Sequence, residues 1–396
     1  MEAPANFQFL DMGYDPVNDE VAMVGTVDGF ATVFELNAEQ DQFNAQTLAN
    51  LPGATSSAEV FGISSDGSRI AGISPSADSV SNEGTTWLRI SPSQSAGIGF
   101  ISGLTNNSSA AAAWSGGVVG NSAGQIPITW DTENEIQTLP GTENGLSSAE
   151  DVTQDGEISV GSSTHEVFDG AAYFWDSTGI NRLNDTVAGF TIFNSIAQAI
   201  SPDGNFIGGE IRLIDEKSNF INAVAIWEGP ERTLRVLTDN NGNLINGIVS
   251  DISNSGYAVG TFTDESFNPF AFIWNPDFEL SGTPGVRPLE LWLEEEFGMA
   301  NLPFPPVAVM ALAEGNGKLF FNVSGFKGNQ GFSALIEIEN VFALGDVNRD
   351  GNIDLLDVAP FVELILSGEF QFEADLNQDS TVDLLDIGPF VNALSG

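Results

Sequence analysis

The chain is 396 residues long and 42% apolar, has no cysteine, and carries 55 acids against 11 bases for a formal net charge of −44. That length exceeds the roughly 250–300 residues that one core usually reaches, so two domains or a radially repeated architecture is expected. The charge excludes nucleic-acid binding by phosphate neutralisation and adhesion to anionic lipid, no apolar run approaches the roughly 20 residues of a membrane span, and without cysteine the redox compartment goes unread.

The first residues, Met1-Glu2-Ala3-Pro4, read as a mature start with an added initiator methionine. A removed secretion signal and a secreted or cell-surface location are therefore expected. An acidic surface of this density suits a calcium-rich or saline exterior, where screening limits self-repulsion.

Residues 1–340 show no long helical periodicity, but they repeat. The best copies run Ile63-Ser64-Ser65-Asp66-Gly67 to Gly72, Val152-Thr153-Gln154-Asp155-Gly156 to Gly161, and Ile200-Ser201-Pro202-Asp203-Gly204 to Gly209, with a looser copy from Ile252 to Gly260. Each precedes an aromatic-ended segment closing at Trp87, Trp175, Trp227 or Trp274, and degenerate copies end at Phe34, Trp130 and Ile336. The closing glycines at 25, 72, 120, 161, 209 and 260 are 41 to 51 residues apart, and a last unit lies near Gly315 and Gly317. A 40–50-residue period with strand-turn-strand signals predicts propeller blades, about seven of them. The Asp-Gly pairs supply positive φ for tight hairpin turns, and apolar alternation buries each blade against the next. Turn formation also explains why Asp66, Asp155 and Asp203 recur.

These units resemble the extracellular HAF-repeat family, in which an Ile-Ser-x-Asp-Gly segment precedes an Ala-Phe-x-Trp strand. The resemblance covers most of residues 8–338 and implies secretion and a propeller-like fold, without a defined reaction. The acidic stretch Pro288 to Gly298 interrupts the sixth and seventh units and predicts a short helix ended by Gly298, with Leu291 and Trp292 packed inward.

Catalytic signals are poor. His165 is the only histidine, so any nucleophilic triad must use it, and Ser162, Ser163 and Glu166 are near it in sequence. A solvated loop histidine is the expected reading. Asn82 to Trp87 faintly echoes a sialidase Asp-box, occurs once, and reads as a hairpin turn into a strand. A glycosidase needs only two carboxylates at roughly 5–9.5 Å, and nothing in this acid-rich sequence singles out a pair. A pocket on the propeller axis lined by two acids and aromatics would favour an enzyme, whereas an axis plugged by apolar side chains would favour a scaffold.

The last fifty residues write one device twice, 29 residues apart. The first copy sets Asp346, Asn348, Asp350, Asp354 and Asp357 at loop positions 1, 3, 5, 9 and 12, and the second sets Asp375, Asn377, Asp379, Asp383 and Asp386 there. The carbonyls of Asn352 and Thr381 fall at position 7. This spacing wraps a hard cation in oxygen, and the four carboxylates of each loop repel one another unless a divalent ion sits between them. The loose all-oxygen geometry favours calcium over magnesium, two ions in all. One helix follows each loop, Leu355–Leu366 and Leu384–Leu394.

This duplicated loop and helix resembles the dockerin family over residues 345–396. The resemblance implies calcium binding at those ligands and a cohesin-like partner met at positions 10 and 11. Those positions hold Leu355-Leu356 and Leu384-Leu385, which otherwise would pack internally or against the rest of the chain. Ser380 stands where the first loop has Gly351, so the second site is expected to be weaker. No Pro/Thr-rich linker precedes the module. Glu339 to Leu344 runs straight in, and self-association through the doubled Leu-Leu pair is a further expectation.

The whole predicts a mainly β chain, with a propeller over 1–340 and a small α-helical calcium module over 345–396. Its expected role is that of a secreted, non-catalytic binding or assembly protein with a possible polysaccharide or cell-surface ligand on the propeller. The alternative is an extracellular carbohydrate-active enzyme, glycosidase or lyase, that carries the module as an accessory.

Overall fold

The structure is a computed structural model that describes residues 7–15, 18–37, 42–54, 56–75, 82–89, 99–106, 109–122, 126–131, 136–140, 146–164, 170–215, 220–239, 242–264, 268–276, 278, 285–300, 302, 304–315, 317–327, 330–339, 345–348, 353, 355–367, 372–374, 376–377 and 381–394. It divides into two compact units, one formed by Met1–Ala313 with Phe321–Ile336 and one by Glu314–Phe320 with Glu337–Gly396.

Strands pair in the order of the chain. β1 (Phe7–Asp15), β2 (Glu20–Val27), β3 (Phe30–Asn37) and β4 (Gln42–Thr47) make one antiparallel meander, and β5 (Glu59–Ile63), β6 (Arg69–Pro75), β7 (Asn82–Leu88) and β8 (Gly99–Asn106) make the next. The third holds β9 (Ser109–Trp114), β10 (Gly117–Ser122), β11 (Ile126–Asp131) and β12 (Ile136–Thr138), and the fourth β13 (Ser147–Val152), β14 (Ser159–Ser163), β15 (Ala171–Asp176) and β16 (Gly179–Arg182). The fifth comprises β17 (Thr191–Ile200), β18 (Phe206–Ile214), β19 (Phe220–Glu228) and β20 (Thr233–Val236). The sixth comprises β21 (Asn246–Ile252), β22 (Ala258–Thr263), β23 (Pro269–Trp274) and β24 (Val286–Pro288). A single pair, Ala223 with Asn246, joins these two into one eight-stranded sheet. β25 (Pro306–Gly315), β26 (Lys318–Lys327) and β27 (Gln330–Glu339) close the series, so the described strands form seven consecutive meanders.

The repeat motif has a local cause. Ser64, Thr153 and Ser201 each donate the side-chain hydroxyl to the Asp two residues on, and each hydroxyl accepts the backbone N–H five residues on. The glycine after the Asp takes the left-handed conformation, with φ of 70° at Gly67 and 77° at Gly156. Only the glycine of these repeat-motif Asp-Gly pairs has positive φ, so their turn differs from type I′, which needs it at both central positions, as Asp28-Gly29 has between β2 and β3 with 50° and 82°. The aspartates are turn braces.

The closing glycines answer a different constraint. A Cβ at Gly161 would lie 1.9 Å from the Ser148 carbonyl oxygen, and one at Gly72 would lie 2.1 Å from that of Glu59. In both blades the first strand bulges just beyond, at the register shifts Ala149/Asp151 and Val60/Gly62. A bulge locally twists its strand, which here leans a carbonyl over its partner and leaves no room for a side chain.

Tryptophan fastens the second, fifth and sixth blades to their predecessors. Trp87 is fully buried among Ala22, Val24, Val33 and Leu48 of the first meander, and its indole N–H donates to the Ala49 carbonyl at 2.8 Å. Trp227 does the same against Leu183 of the fourth meander and the Asn184 carbonyl, and Trp274 packs against Val224 and Ile226 of the fifth. Large buried aromatics of this kind dominate core energetics.

The inserted helix α1 (Leu289–Phe297) ends at Gly298, which has φ 66°. Trp292 is buried as expected, but Leu291 is exposed; Leu289 and Leu293 pack inward instead. Positions i, i+3 and i+4 share a helix face, which places 289, 292 and 293 together and turns 291 outward.

In the second unit, α2 (Val358–Ser367) and α3 (Ile387–Leu394) flank a core of Val347, Phe361, Ala374, Val382 and Phe390. Both helices begin three residues later than the sequence suggests. Their first turns start from Asp357 and Asp386, whose carbonyls accept the N–H groups of Phe361 and Phe390. The Leu-Leu pairs therefore belong to the loops.

Candidate calcium and partner-binding site

Position 12 of each loop is buried in an equivalent way. Asp357 and Asp386 are both 0% exposed. Asp357 Oδ1 accepts the Asn348 N–H at 2.9 Å, and Asp386 Oδ1 accepts the Asn377 N–H at 3.0 Å. Each bond ties position 12 back to position 3 and closes the loop. In the second copy Asp386 Oδ2 also takes the Asp383 N–H at 2.9 Å, while Asp383 Oδ1 takes that of Leu385. Asp346 is nearly buried, and Asn348, Asn377, Thr381 and Asp383 are wholly or partly accessible. Asp350, Asn352, Asp354, Asp375 and Asp379 lie outside the described residues, as do Ser380 and 340–344 of the junction. Among the described residues no three acids or histidines cluster as a metal site.

The donor chemistry nevertheless fits a hard divalent cation. Residues 345–396 contain eleven acids and one base, Arg349. A buried carboxylate needs a compensating charge, and one arginine cannot serve both loops.

The two halves are held together by the stacked rings of Phe361 and Phe390, 4.0 Å between centroids and 29 residues apart in sequence. Around this paired core the opposite faces remain bare. Leu355 and Leu356 are 81% and 66% exposed, Leu384 and Leu385 71% and 67%. The internal-packing alternative for these leucines is therefore not what the fold adopts. Val358 and Val362 on α2, and Ile387 and Val391 on α3, extend the exposed apolar surface in matching register.

A second cluster, missed in the sequence, lies among the first strands of the propeller, which pack one against the next from β1 to β21. Asp11 accepts the N–H of Met12 and that of Ile63 in the next blade, both at 2.8 Å. Asp151 takes Val152 and Ile200, and Asp251 takes Ile252 and Leu312, in the same two-oxygen manner. Burial pushes the Asp11 carboxyl up to about 6 and Asp151 up to about 7, the latter helped by Asp11 and Glu150. Asp251 is raised well above its usual value by burial and by the charges of Asp11 and Asp151. The signal was available: each of these residues stands one position before its blade's motif, and each receiving residue follows a small one, Gly62, Ala199 or Ala311. With both oxygens engaged by backbone amides, the three act as struts between blades.

His165 and Glu166 lie outside the described residues; Ser162 and Ser163 lie on β14. Asn82 to Trp87 lies wholly within β7, so the hairpin turn expected there is strand instead.

Residues 344–394 match the model of the dockerin type I domain. No curated protein matches the chain. Among solved structures it is similar to the β-propeller domain of Cps50 (Swd1) from Myceliophteria thermophila, 10% identical over 85% of this chain and 99% of that one, with a TM-score of 0.50. Others are Kuenenia stuttgartiensis hydrazine synthase (13% identity, 85% and 97% coverage, TM-score 0.49) and the β-propeller domain of the Trilobed protease from Pyrococcus furiosus (15%, 84% and 97%, 0.48). At 10% identity the first of these likenesses concerns the fold alone, a β-propeller.

Proposed function

We propose that this chain, a β-propeller followed by a dockerin type I domain, is a secreted, non-catalytic assembly protein. Dockerin domains bind calcium and cohesins, and they occur in extracellular cellulosome proteins. No helix among the described residues is long and apolar enough to cross a membrane. In this reading residues 1–340, with their HAF-like repeats, display a ligand surface for a polysaccharide or cell-surface component. Residues 345–396 hold two calcium ions. One ion is bound by Asp346, Asn348, Asp350, the Asn352 carbonyl, Asp354 and Asp357, the other by Asp375, Asn377, Asp379, the Thr381 carbonyl, Asp383 and Asp386. Leu355, Leu356, Leu384 and Leu385 meet a cohesin-like partner or a second copy of the chain.

The observation that carries this is the duplicated, solvent-facing leucine pair mounted beside the buried position-12 carboxylates. Calcium couples to partner binding because loop order sets the leucines in place. At a free calcium concentration a thousandfold above the dissociation constant, one site contributes about 4.1 kcal/mol, comparable to the stability of a whole small module.

Sizing the protein in millimolar calcium and after chelation, with and without a cohesin domain, tests the reading. A calcium-dependent shift in either setting supports it, and identical elution throughout would refute it.

A second reading, a carbohydrate-active enzyme, is favoured by one observation, the raised pKa values of Asp11, Asp151 and Asp251, since catalytic acids share that property. Their full engagement by backbone N–H groups weighs for the strut role.

A further inference from the structure

The fifth and sixth blades meet in an apolar seam that runs toward the end of the propeller where β17, β19, β21 and β23 begin and β18 and β22 end. On β19, Val224 and Ile226 pack into the seam, so Phe220, on the same alternation of the strand, lies on that face. From the sixth blade Phe272 and Trp274 of β23 pack back against them, and Phe270 shares their face. Phe262 on β22 pairs with Phe270 across the strands and also packs into the seam. Phenylalanines of two blades therefore flank the mouth of one seam from opposite sides.

The walls of that mouth are fixed. The Asn222 N–H donates to the Asn246 side-chain oxygen at 3.1 Å, and the Asn246 side-chain N–H donates to the Thr263 hydroxyl at 2.8 Å, which clasps the two blades together. Phe220 stands two residues from one end of the clasp, and Phe262 is adjacent to the other. Phe220 meets Phe193 of β17 edge to face at 5.7 Å, and Phe262 stacks on Phe270 at 5.5 Å. Even so, Phe193, Phe220 and Phe270 are 36%, 63% and 38% exposed, and Phe262 is only half-buried. Aromatic side chains held ready in this way are enriched at the cores of protein–protein interfaces, and their prior ordering lowers the entropic cost of binding.

The charge beside the rings says what covers them. Between β18 and β19 and between β22 and β23 the chain carries Asp215, Glu216, Asp264 and Glu265 against a single base, Lys217. An acidic rim draws a cationic partner, and the face of each ring adds cation–π attraction for lysine or arginine. A second copy of the chain would bring another net charge of −44 and be repelled. A sugar would lay its hydroxyls over phenylalanine rings, and the amide between them, Asn246, has both ends engaged.

We propose that the mouth of this seam docks a basic protein segment in which lysines or arginines are interleaved with aliphatic side chains. The aliphatic groups bury the four rings while the cations meet the acidic rim. The inference goes beyond the polysaccharide reading of the propeller and does not depend on the calcium module.

The test is calorimetric titration of the full chain, in calcium and physiological salt, with a short peptide of alternating lysine and leucine. The same peptide with serine for leucine, the same with glutamate for lysine, and a cello-oligosaccharide are titrated beside it. The lysine-leucine peptide is expected to bind, and Phe220→Ser with Phe270→Ser to weaken it by about tenfold. Phe30→Ser, on the first blade and 53% exposed, should leave it unchanged, and Phe220→Trp should retain or tighten it because indole is the better cation–π face. The thermal midpoint checks that each variant is folded, and Phe220→Ser alone replaces the double variant if that one is not. The proposal is overturned if no peptide binds at millimolar concentration, or if the serine peptide binds as tightly, which would assign the attraction to net charge alone. It is equally overturned if the glutamate peptide or the oligosaccharide binds through the same phenylalanines, or if their loss leaves the affinity unchanged. Each of these outcomes leaves the calcium-dependent assembly reading standing, so the two fail separately.

Discussion

The Asp151 carboxylate on β13 receives the backbone N–H of Ile200 on β17 at 2.8 Å, and so one blade's side chain satisfies the next blade's main chain. Asp11 serves Ile63 and Asp251 serves Leu312 in the same way. Three of the inter-blade seams thus depend on carboxyl groups whose pKa burial raises above the ordinary carboxylate value.

A pH dependence follows. Between the ordinary value of 3.8 and the folded values of about 6 and 7, Asp11 and Asp151 bind protons in the folded chain and not in the unfolded one. Stability therefore falls as pH rises through that window. All seven tryptophans lie within residues 87–292, so their fluorescence reports on the propeller alone. At fixed salt and calcium, the tryptophan-detected unfolding midpoint should be higher at pH 5.5 than at pH 8. Asp151→Asn should flatten the slope. A slope unchanged in that variant would assign the effect to the general surface charge.

Glycine at the bulge is a steric requirement. Gly161→Ala places a Cβ within 1.9 Å of the Ser148 carbonyl and should destabilise the propeller by about 3 kcal/mol or more, read from the denaturant midpoint. Gly388→Ala on α3 meets nothing within 4 Å and should instead stabilise the second unit by about 0.5–1 kcal/mol.

Chelation should increase amide exchange throughout residues 345–394 and leave tryptophan fluorescence unchanged. Asp350→Ala with Asp379→Ala should reproduce it. Calcium calorimetry should resolve two unequal affinities, because Ser380 stands at the loop position that Gly351 holds in the first copy, where a sharp turn favours glycine. Equal affinities would contradict this.

Phe361→Ala removes half of a ring stack 4.0 Å across at the centre of the second unit. A loss of about 3–4 kcal/mol is expected, large enough to unfold the module at low calcium and to weaken calcium binding by linkage. Circular dichroism along a calcium titration reads both effects.

Leu355→Asp with Leu384→Asp changes residues 81% and 71% exposed, so calcium affinity and stability should hold while partner or self-association disappears. Sizing in millimolar calcium separates the two properties. Loss of calcium binding in this variant would show that the leucines belong to the module's interior.

The repeats were legible because a blade's own turn chemistry is local. Ser201, Asp203 and Gly204 bond within a few residues, and so their spacing alone reveals the hairpin. Leu291 was misplaced because the helical register depends on which side meets β23 and β24, and no local signal separates it from Leu289. Asp11, Asp151 and Asp251 escaped notice among 55 acids because each acts on a residue 49 to 61 positions away.

By itself the sequence determined that there are two acidic loops in matching register and a train of strand-turn-strand units, since short-range geometry and like-charge repulsion are written in consecutive residues. Only the tertiary structure decided which carboxylates are buried as struts and which leucines stay outside. Burial and hydrogen-bond satisfaction depend on distant strands brought side by side, and no spacing along the chain records that.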